Sequence, residues 1–285
     1  MTKNSAQKHA KPNTFLTEQE IQFICSLAEH CGKLAADMRA SVGVREKTEP
    51  HDLVTDADMA VSKLLLKELN RRFPMDFLIS EEDIPTDTAS EHQRIWYLDP
   101  IDGTDNYVSG DGQYAVMLGL LVEGKPHFGC VHSPANKVTY YGGPKYGAWK
   151  RIPGEDAEEF KVKYQGVMQN PVRLMMGSRD RKNHPWVQNL SGLRLVTSGS
   201  VGLKVAKVIN DEADLFVHLS GKLKYWDTAG PAAIALAAGL EAGTLEDDDL
   251  TFPNSDIRHP LSVVMGRPGS LVWSREVIGS RLFAQ

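Results

Sequence analysis

Cysteine, long apolar runs and surplus positive charge are all scarce in this chain. Cysteine occurs three times, as Cys25, Cys31 and Cys130. An odd number without metal-binding spacing excludes a disulfide-stapled scaffold and a zinc module, and fits reduced thiols in a cytoplasmic protein. The longest apolar stretches, "YAVMLGLLV" and "AGPAAIALAAGL", fall short of the ~20 residues that cross a bilayer, so no membrane partner is expected. The opening "MTKNSAQKHAKPNTF" lacks the apolar core of a secretory signal. A formal net charge of −5 lacks the basic bias of a general nucleic-acid binder. A GxxxxGK[ST] loop, an internal repeat and a low-complexity block are absent as well.

What remains is an ordinary globular composition, 41% hydrophobic and 24% charged, on 285 residues that can bury a sizeable core. Residues 1–15 read as a polar tail. Thr17 and Glu20 form a capping box, and Ile21, Ile24, Ala28, Cys31, Ala35 and Met38 recur at helical spacing behind it. A second box, Thr55 to Asp58, opens a helix that Pro74 ends. "FLISEED" and "RIWYLDP" read as strands running into acidic loops. "YAVMLGLLVEGKPHFGCVHSP" reads as two strands joined at Glu123-Gly124-Lys125-Pro126, with "KVTYYGG" and "YGAWK" continuing the meander.

A polar patch, "RIPGEDAEEF", marks the midpoint. Beyond it strands ("RLMMGS", "RLVTSG", "DLFVHL") alternate with helices (near "HPWVQNL", in "GLKVAKVIN" and in "TAGPAAIALAAGL"). The expected architecture is mixed α/β, with helices and sheets in layers. One half spans 16–150 and carries most acidic candidates; the other spans 151–285; the two form one catalytic unit.

The chemistry gathers in "WYLDPIDGTDN". Asp99 and Asp102 follow a strand and flank Pro100, which favours a tight turn. Taken alone, an Asp-Pro pair is a common turn former. Three other segments add weight: Glu81-Glu82-Asp83 after another strand, Asp227 after Trp226 at a helix start, and "DLVTDAD", where Asp56 and Asp58 serve the helix start and Asp52 is free for another role. An all-oxygen donor set without nearby His or Cys suits a hard cation, Mg²⁺ with Mn²⁺ or Ca²⁺ as alternatives. A helix starting at Gly103-Thr104 would aim free amides at an anion held by that cation.

In this order, "DLVTDAD", "SEE", "DPIDGT" and "WDTAG" resemble the metal-dependent, lithium-sensitive phosphatases of the inositol monophosphatase superfamily, over about residues 17–280. The resemblance implies a layered α-β-α-β-α sandwich and two to three Mg²⁺ per site. Glu81 and Asp99 would hold one ion, with the Ile101 carbonyl; Asp99, Asp102 and Asp227 would hold a second. Asp52 and Thr104 match the pair that activates the attacking water, and the Gly103 and Thr104 amides would grip the phosphoryl group. In place of the family's usual Gly-Gly after the last long helix, this chain has Gly239-Leu240.

"GSRDRK", "SGSVGLK" and "KYWDTAGPAAIALAAG" are similar to the 3'(2'),5'-bisphosphate nucleotidase branch, which releases the 3'-phosphate of adenosine 3',5'-bisphosphate. That places Ser178, Arg179, Ser200, Gly202 and Lys204 on the substrate, beside Glu81, Ile101, Asp102, Gly103, Thr104 and Asp227. Lys222 and Lys224 are further cation candidates. "GTDNY" is closer to inositol monophosphatases, and fructose 1,6-bisphosphatase activity also stays open. A non-catalytic Mg²⁺- or nucleotide-binding protein is the alternative of another class. The expected partner is a small phosphorylated substrate, with a homodimer as a further expectation.

Overall fold

The structure is a computed structural model and describes residues 15–41, 43–46, 53–86, 92–162, 168–253, 256–259 and 262–283. Both capping boxes form. The Glu20 amide donates to the Thr17 hydroxyl while the Glu20 carboxylate accepts from the Thr17 amide, opening α1 (Glu18–Met38). Thr55 and Asp58 do the same for α2 (Asp56–Arg72). Two short antiparallel strands, β1 (Val44–Glu46) and β2 (Leu53–Thr55), lie between these helices.

Seven strands then make one sheet in sequence order: β3 (Phe77–Ser80), β4 (Arg94–Asp102), β5 (Ala115–Val122), β6 (Lys125–Ser133), β7 (Val138–Gly143), β8 (Gly147–Arg151) and β9 (Glu158–Phe160). Only the β3–β4 pair is parallel. The short helix α3 (Thr104–Ser109) follows β4. In the second half β10 (Val172–Met176), α4 (Ser178–Asn183), β11 (Leu193–Val196), α5 (Val201–Ile209), β12 (Leu215–His218), α6 (Tyr225–Ala237), β13 (Glu241–Gly243), β14 (Val263–Gly266) and α7 (Ser270–Ser274) follow one another. Their strands form a five-stranded sheet in the order β11-β10-β12-β14-β13.

Side-chain alternation shows why these elements stack in five layers. Along β4, Trp96 and Leu98 join the core under α1 and α2, whereas Ile95 and Tyr97 join the central core that holds α5 and α6. On β12, Phe216 faces that central core, while Leu215 and Val217 face the outer core with Leu271 of α7. Each sheet is therefore covered on both faces, which explains strands that read as continuous apolar runs. The order helices, sheet, helices, sheet, helices matches the expected sandwich.

α6 sits unusually close to the first sheet. A Cβ on Gly119 would lie 2.3 Å from the Gly230 nitrogen, and one on Gly129 would lie 2.1 Å from the Gly230 oxygen. Glycine on β5, β6 and α6 together lets helix backbone touch sheet backbone, and this contact sets the depth at which the start of α6 enters the molecule.

Some expectations need correction. The division at 150/151 falls inside β8, and β9 still pairs with β8, so the first sheet ends at Phe160. The polar midpoint patch hides β9 because an edge strand with two exposed glutamates carries little apolar signal. The segment "HPWVQNL" forms a short 3₁₀ turn, Pro185–Asn189, preceded by the unforeseen α4. Strands β13 and β14 were also unforeseen. No helix among the described residues is long and apolar enough to cross a membrane.

Candidate active site

An irregularity at the end of β4 builds the site. Asp99 pairs with Met117 of β5, and the next register pair is Asp102 with Ala115. One strand advances three residues while its neighbour advances two, which is a β-bulge at Pro100-Ile101. On a regular strand, residues three apart point to opposite faces. The extra residue resets the alternation, so Asp99 and Asp102 can serve one site. Pro100 suits this place because it has no N–H to give a ladder.

Gly103 follows with φ +92°, the left-handed region that favours glycine. A Cβ there would lie 3.0 Å from the Gln113 carbonyl oxygen. α3 then starts, and the Thr104 hydroxyl donates to the Ile101 carbonyl at 3.2 Å. The third acid comes from α6, which begins at Tyr225, two residues earlier than the sequence suggests. Asp227 caps the helix from inside its first turn, accepting from the Lys224 amide at 2.6 Å.

Asp99, Asp102 and Asp227 each offer a carboxylate oxygen, and these lie within 4.8 Å of one another. Asp99 is only 1% exposed, and its Oδ1 is buried with no hydrogen-bond partner. Burial first, then the charges of Glu81, Asp102, Asp227 and Asp58, push the Asp99 carboxyl well above the usual carboxylate range. Asp227 is pushed well above it too, by burial and then by Asp102 and Glu81. Burial also raises Asp102, against the opposing pull of Lys204, the Ser200 hydroxyl and the Gly202 amide. Like charges buried together are costly unless a cation joins them. The orphaned oxygen and the all-oxygen donor set fit a hard divalent ion such as Mg²⁺.

Glu81 follows β3, with its amide bonded to the Leu98 carbonyl at 3.0 Å, and its charge acts on all three aspartates. Asp58 caps α2 as expected, and its charge also reaches Asp99. Asp52 lies outside the described residues.

A cavity of about 450 Å³ takes Gly103, Thr104, Asn106 and Gln113 into one wall. The second half adds Ser178, Arg179, Asp180 and Arg181 of α4, Ser198, Lys204 of α5 and His218 of β12 to the lining of the same cavity. Lys204, 4% exposed, bonds the Gly199 carbonyl and lies 5.6 Å from the Phe216 ring centroid. Burial lowers the pKa of its ammonium, while Asp102, Asp227 and Asp180 work to hold its charge.

Ser200 and Gly202, expected on the substrate, are buried behind the cavity wall and point at Asp102. The Ser200 hydroxyl donates to Asp102 Oδ2, and the Gly202 amide donates to the same oxygen at 3.1 Å. A Cβ on Gly202 would lie 2.5 Å from the Met117 sulfur and 2.8 Å from a Val131 methyl, so any side chain there has to displace both neighbours. Lys224 turns its ammonium over the Trp226 ring at 4.9 Å, and Lys222 is exposed outside the cavity lining.

Arg181, Ser198 and the Asp180–His218 pair were not singled out as a group from the sequence. His218 Nδ1 meets Asp180 Oδ2 at 3.0 Å, and His218 Nε2 accepts from the Lys222 amide at 3.2 Å. The proton therefore belongs on Nδ1 by hydrogen-bond logic. The signal available was "SRDRK" itself, with two arginines around an acid.

Comparison with known proteins agrees with this geometry. The model of the "Inositol monophosphatase family" matches residues 16–266. A 3'(2'),5'-bisphosphate nucleotidase CysQ from Aggregatibacter actinomycetemcomitans is 28% identical over 268 residues, covering 91% of this chain and 97% of the relative. The CysQ of Salmonella typhimurium is 30% identical over 244 residues, covering 84% and 97%. The solved structure of a Thermotoga maritima IMPase superposes with a TM-score of 0.78 at 22% identity, covering 93% of this chain and 99% of that one, which supports the fold. With a matched family model, a bulged Asp-Pro-Ile-Asp-Gly-Thr strand end and a third acid on α6, the chain belongs to the inositol monophosphatase family of metal-dependent phosphatases.

Proposed function

We propose that the chain is a 3'(2'),5'-bisphosphate nucleotidase that releases the 3'-phosphate of adenosine 3',5'-bisphosphate. The observation that carries the reading is that three cationic side chains, Arg179, Arg181 and Lys204, line one cavity together with Gly103 and Thr104. A substrate with one phosphate is served by the metal site alone; a second phosphate calls for cations such as Arg179 and Lys204. The names of the CysQ relatives support the same reading.

On this reading Glu81, Asp99 and the Ile101 carbonyl would hold one Mg²⁺, and Asp99, Asp102 and Asp227, whose carboxylate oxygens lie within 4.8 Å of one another, would hold another. Bound there, Mg²⁺ neutralises the phosphate dianion and makes a water acidic enough to attack at neutral pH. The Thr104 hydroxyl would orient the attacking water, and the Asp52 carboxylate would take its proton. The Gly103 and Thr104 amides donate to phosphoryl oxygens as charge moves onto them. Ser200 and Gly202 fix the Asp102 carboxylate in the orientation the ion needs.

A second reading, inositol monophosphatase activity, is favoured by one feature: Asp105-Asn106 follows Gly103-Thr104, as in those enzymes. The test is phosphate release from adenosine 3',5'-bisphosphate, inositol 1-phosphate and fructose 1,6-bisphosphate with Mg²⁺. A kcat/KM at least tenfold higher for the nucleotide is expected. A preference for inositol 1-phosphate by that factor overturns the substrate assignment.

A further inference from the structure

Two hydrogen-bond donors on the cationic wall have no partner, and neither does Asp180 Oδ1 beside them. Arg181 Nε and Ser198 Oγ are both buried, and neither makes a hydrogen bond. Their residues line the same cavity as Gly103 and Thr104, but from the second half: Arg181 on α4 and Ser198 two residues before Ser200. A buried guanidinium nitrogen and hydroxyl left unpaired each carry a desolvation penalty.

The obvious neighbour cannot relieve them. Asp180 lies between Arg179 and Arg181 in sequence, yet its carboxylate is turned to His218 Nδ1 at 3.0 Å. Lys204 stands near enough that the Arg181 charge opposes its own. Arg181 and Lys204 therefore converge on one cavity and repel each other. An oxyanion entering between them would relieve the repulsion, take the Arg181 Nε–H, and accept from the Ser198 hydroxyl.

We infer that Arg181 and Ser198 form the subsite for a second phosphoryl group of the substrate, the one that is not hydrolysed. This rests on the bisphosphate reading above and deepens it by naming the residues that tell a bisphosphate from a monophosphate. Arg181 and Ser198 take this role in place of the exposed Lys222 and of Lys224, whose ammonium covers Trp226. The subsite contacts no reacting atom. It sets affinity and orientation, so its removal acts on KM.

The test compares adenosine 3',5'-bisphosphate with adenosine 3'-phosphate in wild type, Arg181→Gln, Ser198→Ala and the control Lys182→Gln, an exposed neighbour on α4. For the bisphosphate, Arg181→Gln should raise KM about 10- to 100-fold, as for loss of a charge-assisted hydrogen bond, with kcat within about threefold. Ser198→Ala should raise it by up to about tenfold. Kinetics on the 3'-monophosphate should stay within about twofold in every variant, and Lys182→Gln should behave as wild type. Equal losses on both substrates, a loss in Lys182→Gln matching that in Arg181→Gln, or no change in Arg181→Gln overturns the subsite.

A binding arm separates this from the functional reading. Calorimetry on the Mg²⁺-loaded protein uses the 3'-methylenephosphonate of adenosine 5'-phosphate and the same phosphonate without the 5'-phosphate. Tighter binding of the first that Arg181→Gln abolishes supports the subsite even where no nucleotide is hydrolysed, in which case only the activity assignment fails. Hydrolysis that prefers the bisphosphate but ignores Arg181→Gln leaves the activity standing and overturns the subsite.

Discussion

The Ser200 hydroxyl donates its proton to the Asp102 carboxylate, although 98 residues separate them in the chain. The same oxygen of Ser200 accepts the Leu203 amide at 3.2 Å, so one side chain caps α5 and steers a carboxylate of the acidic cluster. Helix start and acidic cluster are thereby one device. The second half of the molecule reaches into the first to fix a group that the first half supplies.

Ser200→Ala should therefore cost twice. Loss of the cap should destabilise the protein by about 1 kcal/mol, or about 2–4 °C in Tm. Loss of the donor to Asp102 should weaken Mg²⁺ binding about tenfold, the lower end of what such supporting contacts contribute. Ser200→Thr, which keeps the hydroxyl, should recover most of the Mg²⁺ affinity. Isothermal titration with Mg²⁺ and a thermal melt check the two effects separately.

The contact between α6 and the first sheet gives a steric expectation. Gly230 already has the Leu118 carbonyl 2.6 Å from where a Cβ would sit. Gly230→Ala should push the helix off β5 and β6, with a loss of about 3 kcal/mol in urea unfolding, since overpacking costs roughly 1–3 kcal/mol even in ordinary core positions. It should also lower Mg²⁺ affinity, because Asp227 rides on that helix. Wild-type stability in Gly230→Ala would show that the close approach is incidental.

Arg94, at the start of the strand that ends in Asp99 and Asp102, is paired with Asp76 at 2.8 Å, and both side chains are buried. Asp76 also accepts from the Trp96 indole at 2.8 Å. Asp76→Ala should remove two hydrogen bonds to the buried Arg94 guanidinium and the acceptor of the Trp96 indole, and destabilise by about 3 kcal/mol. Equilibrium denaturation measures this directly, and a change under 1 kcal/mol contradicts it.

Acid should unfold the protein in part through two histidines. Burial, aided by Arg151 and opposed by Glu29, holds His132 down to about 4. Burial, with His218 adding to it, holds His259 down to about 4 as well. In the unfolded chain both return to ~6.5. Between about pH 6.5 and 4 the unfolded state binds the protons and the native state does not. The stability from keeping these rings neutral is thus fully present above about pH 6.5 and is lost as pH falls toward 4, on the order of 3 kcal/mol for each ring. Denaturation midpoints at pH 7.5 and 4.5 should differ less in His132→Gln than in wild type. An unchanged difference contradicts the assignment.

Much of this was legible in the sequence. The capping boxes at Thr17 and Thr55 are local chemistry, and both form as read. The acids of "DPIDGT" and "WDTAG" announce themselves by type and context, and the fold joins Asp227 to Asp99 and Asp102. The bulge at Pro100-Ile101 was not legible, because it depends on the register against Met117 and Ala115. Ser200 and Gly202 stood out for their Gly-Ser frame, but which way a hydroxyl points is settled only by what packs beyond it. Edge strand β9 and the short β13 carry too few apolar residues to show a period, and β14, four residues buried throughout, is too short and too uniformly buried to alternate. Arg181 and Ser198 emerge only as unpaired groups, a property that no sequence displays.

The central claim is that the cluster of Asp99, Asp102 and Asp227 holds the Mg²⁺ on which phosphate release depends. The measurement that tests it most directly is phosphate release from adenosine 3',5'-bisphosphate, titrated with Mg²⁺, in wild type and Asp102→Asn of equal thermal stability. Saturable Mg²⁺-dependent turnover in wild type and a loss of at least 100-fold in kcat/KM in Asp102→Asn are the expected results. Metal-dependent turnover retained in Asp102→Asn would contradict the account.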